Sequence, residues 1–324
     1  MMKLVIGLAA LLAHMPAQAQ PRWEMATEYP ANAMPGEGIA LFAKLVTERS
    51  GGRLIITPSF DAAKGIKSAD MVAAVQERRI EAGDAFGGAL GPVHPLLALS
   101  SLPFVVPTLD DAARLAEISR PAYARVFGSL GQRLLYTTPW PASGIWSKAA
   151  LTSRADVSRL SIRTYDATSS TVFSAAGAKA LNISFADAMA KLKDGTVDAV
   201  LSSGDGGAGR RLWDFTSHFT AVNYALPLSF ATLNSGEYAA LPSDLQRIID
   251  DAAAETERRQ WTAIRTRLEE NYARMRANGV LIADPAPADL TEALTKASEA
   301  AKAEWRRQAG EDGEAILAAF SKRP

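Results

Sequence analysis

The stretch PSDLQRIIDDAAAETERRQWTAIRTRLEENYARMRANG, residues 242–279, runs for about 35 residues without an internal glycine or proline. Ser243 and Gln246 fit a capping box at its start, and Asn278-Gly279 fits a C-terminal stop. Leu245, Ile248 and Ala252, then Trp261, Ile264, Leu268 and Met275, recur at helical spacing. At 1.5 Å per residue such a helix spans about 50 Å, more than one small domain offers. A break near ETERRQ, residues 255–260, stays open. Unbroken, the helix runs along two lobes and ties them together, an arrangement suited to hinged closure.

Upstream of it, strands alternate with helices. RWEMATEY (22–29) alternates like a strand and leads through the loop PANAMPGEG (30–38) into a helix carrying Ile39, Leu41, Phe42, Leu45 and Val46. SGG (50–52) stops that helix. RLIITPSF (53–60) reads as a strand, ADMVAAVQERR (69–79) as a helix, and IEAGDAF (80–86) as a strand ending in the turn GGALGP (87–92). The pattern returns with the strands QRLLYTTPW (132–140) and RLSIRTY (159–165), the helices TSSTVFSAAG (168–177) and FADAMAKLKDG (185–195), and the strand TVDAVLSS (196–203). Two such units predict an α/β fold in two lobes with mostly parallel sheets.

The chain of 324 residues has 35 basic and 35 acidic side chains, no cysteine and 48% hydrophobic residues. Balanced charge argues against a broad nucleic-acid or anionic-membrane surface. The absence of cysteine excludes disulfides and thiol chemistry. The start reads as an export signal: Lys3 gives a positive end, Leu4 to Ala13 an apolar core, and Ala17-Gln18-Ala19 a small-x-small cleavage pattern. That core is well short of the ~20 residues a membrane span needs. A mature, extracytoplasmic protein starting near Gln20 is expected, with residues 1–19 removed.

Catalytic signatures are thin. His14, His94 and His218 are the only histidines, and none has metal-ligand spacing. There is no GxSxG elbow. Gly204-Asp205-Gly206-Gly207-Ala208-Gly209 is formally GxGxxG after a strand, but the acidic residue expected about twenty positions on is missing. The segment is expected to be a flexible loop at a strand end, where ligand crevices form in α/β sheets. Arg163, in LSIRTYDAT (160–168), is more pointed: a guanidinium on a core strand is costly unless an anion meets it. A salt bridge to Asp166 or Asp198 is the plainer reading of the residues alone. A fork of donors aimed at a carboxylate in a crevice is the other. Trp140 and Trp146 flank the crossing Pro141-Ala142-Ser143-Gly144, and glycine turns at 87–91 and 204–209 end strands of both halves.

With these parts in order, the chain resembles the solute-binding proteins of TRAP (tripartite ATP-independent periplasmic) transporters. The resemblance is carried by SGGRLIITPSF (50–60), LPFVVPTLDDA (102–112), DVSRLSIRTY (156–165), AMAKLKDGTVDAV (188–200) and LNSGEYAALPSDLQRIIDDAA (233–253), and covers essentially the whole mature chain. It implies a two-lobed, type II-like periplasmic binding protein fold, α/β in both lobes, with crossing strands and a lobe-spanning helix. Lobe I is placed at 20–141 plus 226–272 and lobe II at 142–225 plus 273–324. The family's carboxylate-holding arginine is matched by Arg163. By the same likeness Phe185 and Ser202 fall on the second lobe's ligand side, and Tyr29 and Asn32 on the first lobe's; Ser203 is a further candidate beside Ser202. Trp140, Trp146 and Asn223 complete the candidate set.

Two departures bear on the ligand. Many members carry a second arginine two positions after the glycine matched by Gly144, where this chain has Trp146. The strand end at Gly87 and Gly88 lacks the polar side chain some members have. The resemblance then implies a periplasmic binder, not an enzyme, that captures a small organic acid with one main carboxylate and an apolar or aromatic body. No cofactor or metal is expected. A monomer that hands its ligand to TRAP membrane subunits, without nucleic acid, is expected. A binder serving an ATP-driven importer or a sensor, and an exported α/β enzyme, are the alternatives.

Overall fold

A computed structural model describes residues 21–322; the expected export signal, residues 1–19, lies outside them. The first sheet contains β1 (Arg22–Thr27), β2 (Ile55–Ser59), β3 (Ala82–Phe86), β4 (Gln132–Pro139) and β10 (Leu228–Asn234), in the order β2-β1-β3-β10-β4. The second contains β5 (Ser143–Ser147), β6 (Ser161–Thr164), β7 (Lys179–Asn182), β8 (Ala199–Ser203), β9 (His218–Thr220) and β11 (Leu281–Ala283), in the order β11-β9-β5-β8-β6-β7. Helices α1 (Met34–Arg49), α2 (Ser68–Gln76), α3 (Leu109–Ser129) and α8 (Ser235–Ala239) belong to the first sheet's lobe. Helices α4 (Arg154–Val157), α5 (Ala167–Ala175), α6 (Phe185–Lys193) and α7 (Gly204–Gly209) belong to the second. Two long helices follow, α9 (Ser243–Ala277) and α10 (Ala288–Ser321).

Both sheets are mixed rather than mostly parallel. The βα alternation makes β1, β2 and β3 parallel, and likewise β6, β7 and β8. The strands that arrive from the other lobe, β10 and β5, run against their neighbours. The chain crosses at residues 140–142 and returns at 221–227, and the two crossings hydrogen-bond to each other. Trp140 N donates to Pro227 O, Ser143 N to Ala225 O and Tyr224 N to Ser143 O, each at 2.9 Å. Strands β3 and β8 are buried along their whole length, as expected where helices cover both faces.

Helix α9 is one unbroken helix of 35 residues. Leu245, Ile249, Ala252 and Ala253 pack with Trp23, Ile39 and Phe42 of the first lobe. Tyr272 and Met275, near its other end, join the core of the second. Its start differs from the expected capping box. Pro242 precedes the first turn, Ser243 is exposed and already helical, and no side chain caps the end. The amide of Gln246 turns back to Leu241 O instead, at 3.0 Å. Helix α10 is a second strap. Leu290, Leu294 and Ala301 pack in the second lobe's core, Trp305, Ala309 and Ile316 in the first's. A break at Gly310 (φ 58°, ψ −148°), in a region L side chains rarely adopt, separates Trp305 and Ala309 from Ile316.

Candidate functional site

Between the sheets lies a cavity. Tyr29, Phe86, Trp140 and Pro227 line it from the first lobe and the crossings, and Arg163, Tyr165, Phe185, Ser202 and Ser203 from the second, with Ser143 at the junction. Phe86, Ser203 and Tyr165 lie at or just beyond the carboxyl ends of β3, β8 and β6, where open α/β sheets bind ligands.

Arg163 is 5% exposed and sits on β6 between β7 and β8. Its Nε donates to Ile183 O at 2.9 Å and its Nη1 to Leu201 O at 3.2 Å. These two carbonyls fix the plane of the guanidinium and leave part of its donor fork free. The expected ion pairs with Asp166 or Asp198 do not form. Asp198 accepts from Ser161 N at 3.0 Å, and one oxygen of Asp166 caps α5, accepting from Ser169 N at 2.6 Å. Among the described residues Arg163 has no salt bridge. Burial draws its pKa down, while Tyr29, Glu28, Tyr165 and Asp166 act the other way; a guanidinium keeps its charge regardless.

Around Arg163 the walls are aromatic. Its guanidinium carbon stands 5.1 Å from the Phe185 ring centre. Tyr29 meets Trp140 edge-on at 4.6 Å, and Phe86 meets Tyr165 at 5.0 Å. Trp140 spends its one donor on Ser229 Oγ at 3.0 Å, so it presents an apolar surface to the cavity. Burial raises the pKa of Tyr29 and Tyr165, so both phenols stay protonated and can donate. The Tyr165 hydroxyl, beside Ser143, makes no well-aligned hydrogen bond.

Of the nine residues singled out from sequence, Arg163, Phe185, Ser202, Ser203, Tyr29 and Trp140 converge on the cavity. Trp146, Asn32 and Asn223 do not. Trp146 is fully buried behind the wall, its Nε1 donating to Ser203 O at 3.2 Å. Asn32 is exposed beside Gly209, and Asn223 is an exposed residue of the returning crossing with φ 49°. Sequence reasoning missed Phe86, Ser143, Tyr165 and Pro227. Tyr165 stands two positions after Arg163, on the same face of an extended chain, and that spacing could have found it.

The glycine-rich segment is not a flexible loop but the buried helix α7. A Cβ on Gly207 would come within 2.2 Å of the Trp146 ring, so only glycine lets the helix lie against that indole. Asp205, fully buried within it, accepts from Met34 N at 2.8 Å and pairs with Arg267 of α9 at 3.2 Å. These contacts belong to structure, not to a nucleotide. His94 caps a short 3-10 turn and His218 lies on β9; among the described residues no His, Asp or Glu cluster could hold a metal. No helix among them is long and apolar enough to cross a membrane.

Two mixed sheets joined by paired crossings and closed on a cavity define a two-lobed solute-binding protein. Residues 25–309 match the family model DctP, bacterial extracellular solute-binding protein family 7, and the chain belongs to that family. It is thus a solute-binding protein of the TRAP type rather than an enzyme. DctP7 of Bordetella pertussis, an extracytoplasmic solute receptor binding pyroglutamic acid, is 26% identical with a TM-score of 0.89 over 93% of this chain and 99% of that one. A marine metagenome TRAP protein specific for pyroglutamate is 28% identical, with a TM-score of 0.88 over 93% and 99%. A Shewanella oneidensis TRAP protein with bound succinate, 16% identical with a TM-score of 0.85 over 94% and 100%, shares the fold. No curated protein matches the chain.

Proposed function

We propose that this protein captures a compact monocarboxylate in the cavity and delivers it, as a monomer in the periplasm after removal of residues 1–19, to TRAP membrane subunits. The observation that carries this is Arg163: buried, aimed by two carbonyls, and without an anion of its own among the described residues. A ligand carboxylate meets the free part of its fork, which explains why the charge is kept on a core strand. Tyr29, Tyr165, Ser143, Ser202 and Ser203 supply hydroxyls for a polar group, and Trp140, Phe86 and Phe185 enclose an apolar body. Residues 20–141 and 226–272 close against 142–225, with α9 and α10 as shared straps. The ligand touches both lobes only when they close, so binding shifts the open-closed balance.

Pyroglutamate, bound by relatives 26% and 28% identical, is the first ligand to test. It should raise the melting temperature and bind saturably by calorimetry. Loss of that binding in Arg163→Ala, with circular dichroism unchanged, supports the reading. Undiminished affinity in the variant would refute it.

A further inference from the structure

Glu28 precedes the cavity-lining Tyr29 and is 2% exposed. Its two carboxylate oxygens are divided between the lobes. One accepts from Ser68 N at 3.0 Å, in the first turn of α2; the other accepts from Ala186 N at 3.1 Å, in the first turn of α6. Both helices are nine residues long, and their N-termini carry positive partial charge that favours an anion. Here the chain supplies that anion itself. The neighbouring cations have carboxylates of their own: Lys67 pairs with Asp187 at 2.8 Å across the same two helix starts, and Arg210, whose Nε makes no hydrogen bond, pairs with Asp61 at 3.5 Å while donating to Glu28 O at 2.6 Å.

Among the described residues this arrangement leaves Arg163 as the one cationic residue lining the cavity. Glu28 and Asp166 both act on it electrostatically, so the fixed anions near the site are already present. One ligand carboxylate neutralises Arg163. A second meets no other cation lining the cavity among the described residues and enters the field of Glu28. Ala186 directly follows Phe185, so the helix start nearest a ligand packed on that ring is the one Glu28 holds.

We infer that Glu28 restricts the site to monocarboxylates, by occupying the two helix N-termini that would otherwise receive a second ligand carboxylate. The inference rests on Arg163 as the ligand's anchor. It makes Glu28 a specificity-determining residue that acts through charge and need not touch the ligand.

The test compares acids that differ only at the far end: glutarate with its monoamide glutaramate, and succinate with succinamate, beside pyroglutamate. Calorimetry at about pH 7.5, where both carboxylates of the diacids are ionised, should show wild-type protein favouring each monoamide over its diacid by at least about a hundredfold. In Glu28→Gln the diacid should bind more tightly than to wild type, and the preference should fall at least about tenfold. A damaged fold cannot produce that gain. Should the variant fail to fold, wild-type protein gives the second measurement. Lowering the pH to about 4.5 protonates much of the diacid's far carboxyl, and the diacid should then approach the monoamide measured at the same pH. A diacid that binds wild type as well as its monoamide, or a Glu28→Gln preference equal to wild type, overturns the inference alone if pyroglutamate or a monoamide binds and Arg163→Ala loses it. Wild-type protein that binds none of these acids removes the inference together with the reading beneath it.

Discussion

Arg163 on β6 and Arg267 on α9 are 5% and 9% exposed, and each carries its charge into the interior. Arg267 is met from several sides: by Asp205 at 3.2 Å, by Glu37 and by Glu270 at 3.8 Å. Burial lowers its pKa, but these three carboxylates more than offset that and leave it raised. Among the described residues Arg163 is met by two carbonyls and the Phe185 ring but by no carboxylate, and its pKa is drawn down. The contrast teaches how to tell a structural arginine from a binding one in the same protein. The first has its counter-charge built into the chain; the second has the geometry for one and lacks it.

The sharpest way to break the contrast is to remove each arginine. Arg163→Ala should cost about 3 kcal/mol or more of ligand binding, a rise in Kd above roughly a hundredfold, with urea stability of the ligand-free protein unchanged or increased. Arg267→Met should do the reverse. It strands the buried Asp205 carboxylate and should lower stability by about 3 kcal/mol in urea titrations, leaving the ligand's Kd within about threefold. If Arg163→Ala unfolds the protein and Arg267→Met does not, the assignment is inverted. Arg163→Lys comes next. It keeps the charge but loses the planar fork, so affinity should fall by about ten- to a hundredfold in calorimetry.

The contrast extends to acids, where it becomes a pH effect. Asp205 has Arg267, whereas Asp84 has only the Thr27 hydroxyl at 3.2 Å, and burial pushes its pKa up to about 8. Asp166 is raised to about 6, also by burial. A carboxyl whose folded pKa exceeds its unfolded value binds more protons when folded, so its contribution to stability falls as pH rises between the two. Stability should therefore decline from about pH 5 to about pH 8, and Asp84→Asn should flatten that decline in urea melts. An identical pH profile in the variant would exclude Asp84 as its source. The smallest effect is expected at Trp140→Phe, which removes the bond to Ser229 and should change ligand affinity by about 1 kcal/mol.

The lobed α/β fold was legible because its cues are local. The alternation from residue 22 to 86 and the uninterrupted run after Pro242 each sit within one stretch of chain. Arg163 was legible as an anomaly for the same reason. What escaped depends on contacts far along the chain. GDGGAG reads as a loop by propensity, yet folds as α7 because Trp146 and α9 press on it from elsewhere. Helix α10 buries the small residues Ser298, Ala301, Ala309 and Gly313 and is interrupted at Gly310, so its apolar stripe is faint. Phe86, Ser143 and Pro227 share a cavity only because of how the two crossings pair, which no single segment encodes.

The same crossings fix an order of assembly. Strand β10 lies between β3 and β4 in the interior of the first sheet, but it follows the second lobe's β5 to β9 in the chain. The first lobe therefore cannot complete its hydrogen-bonded ladder until residues 228–234 have left the ribosome or the translocation pore, about a hundred residues after β4. Strands β5, β6, β7 and β8 close over a much shorter length of chain, and local pairing forms faster than distant pairing. The first lobe should thus remain an unfinished sheet, with β1, β2 and β3 paired, until β10 arrives.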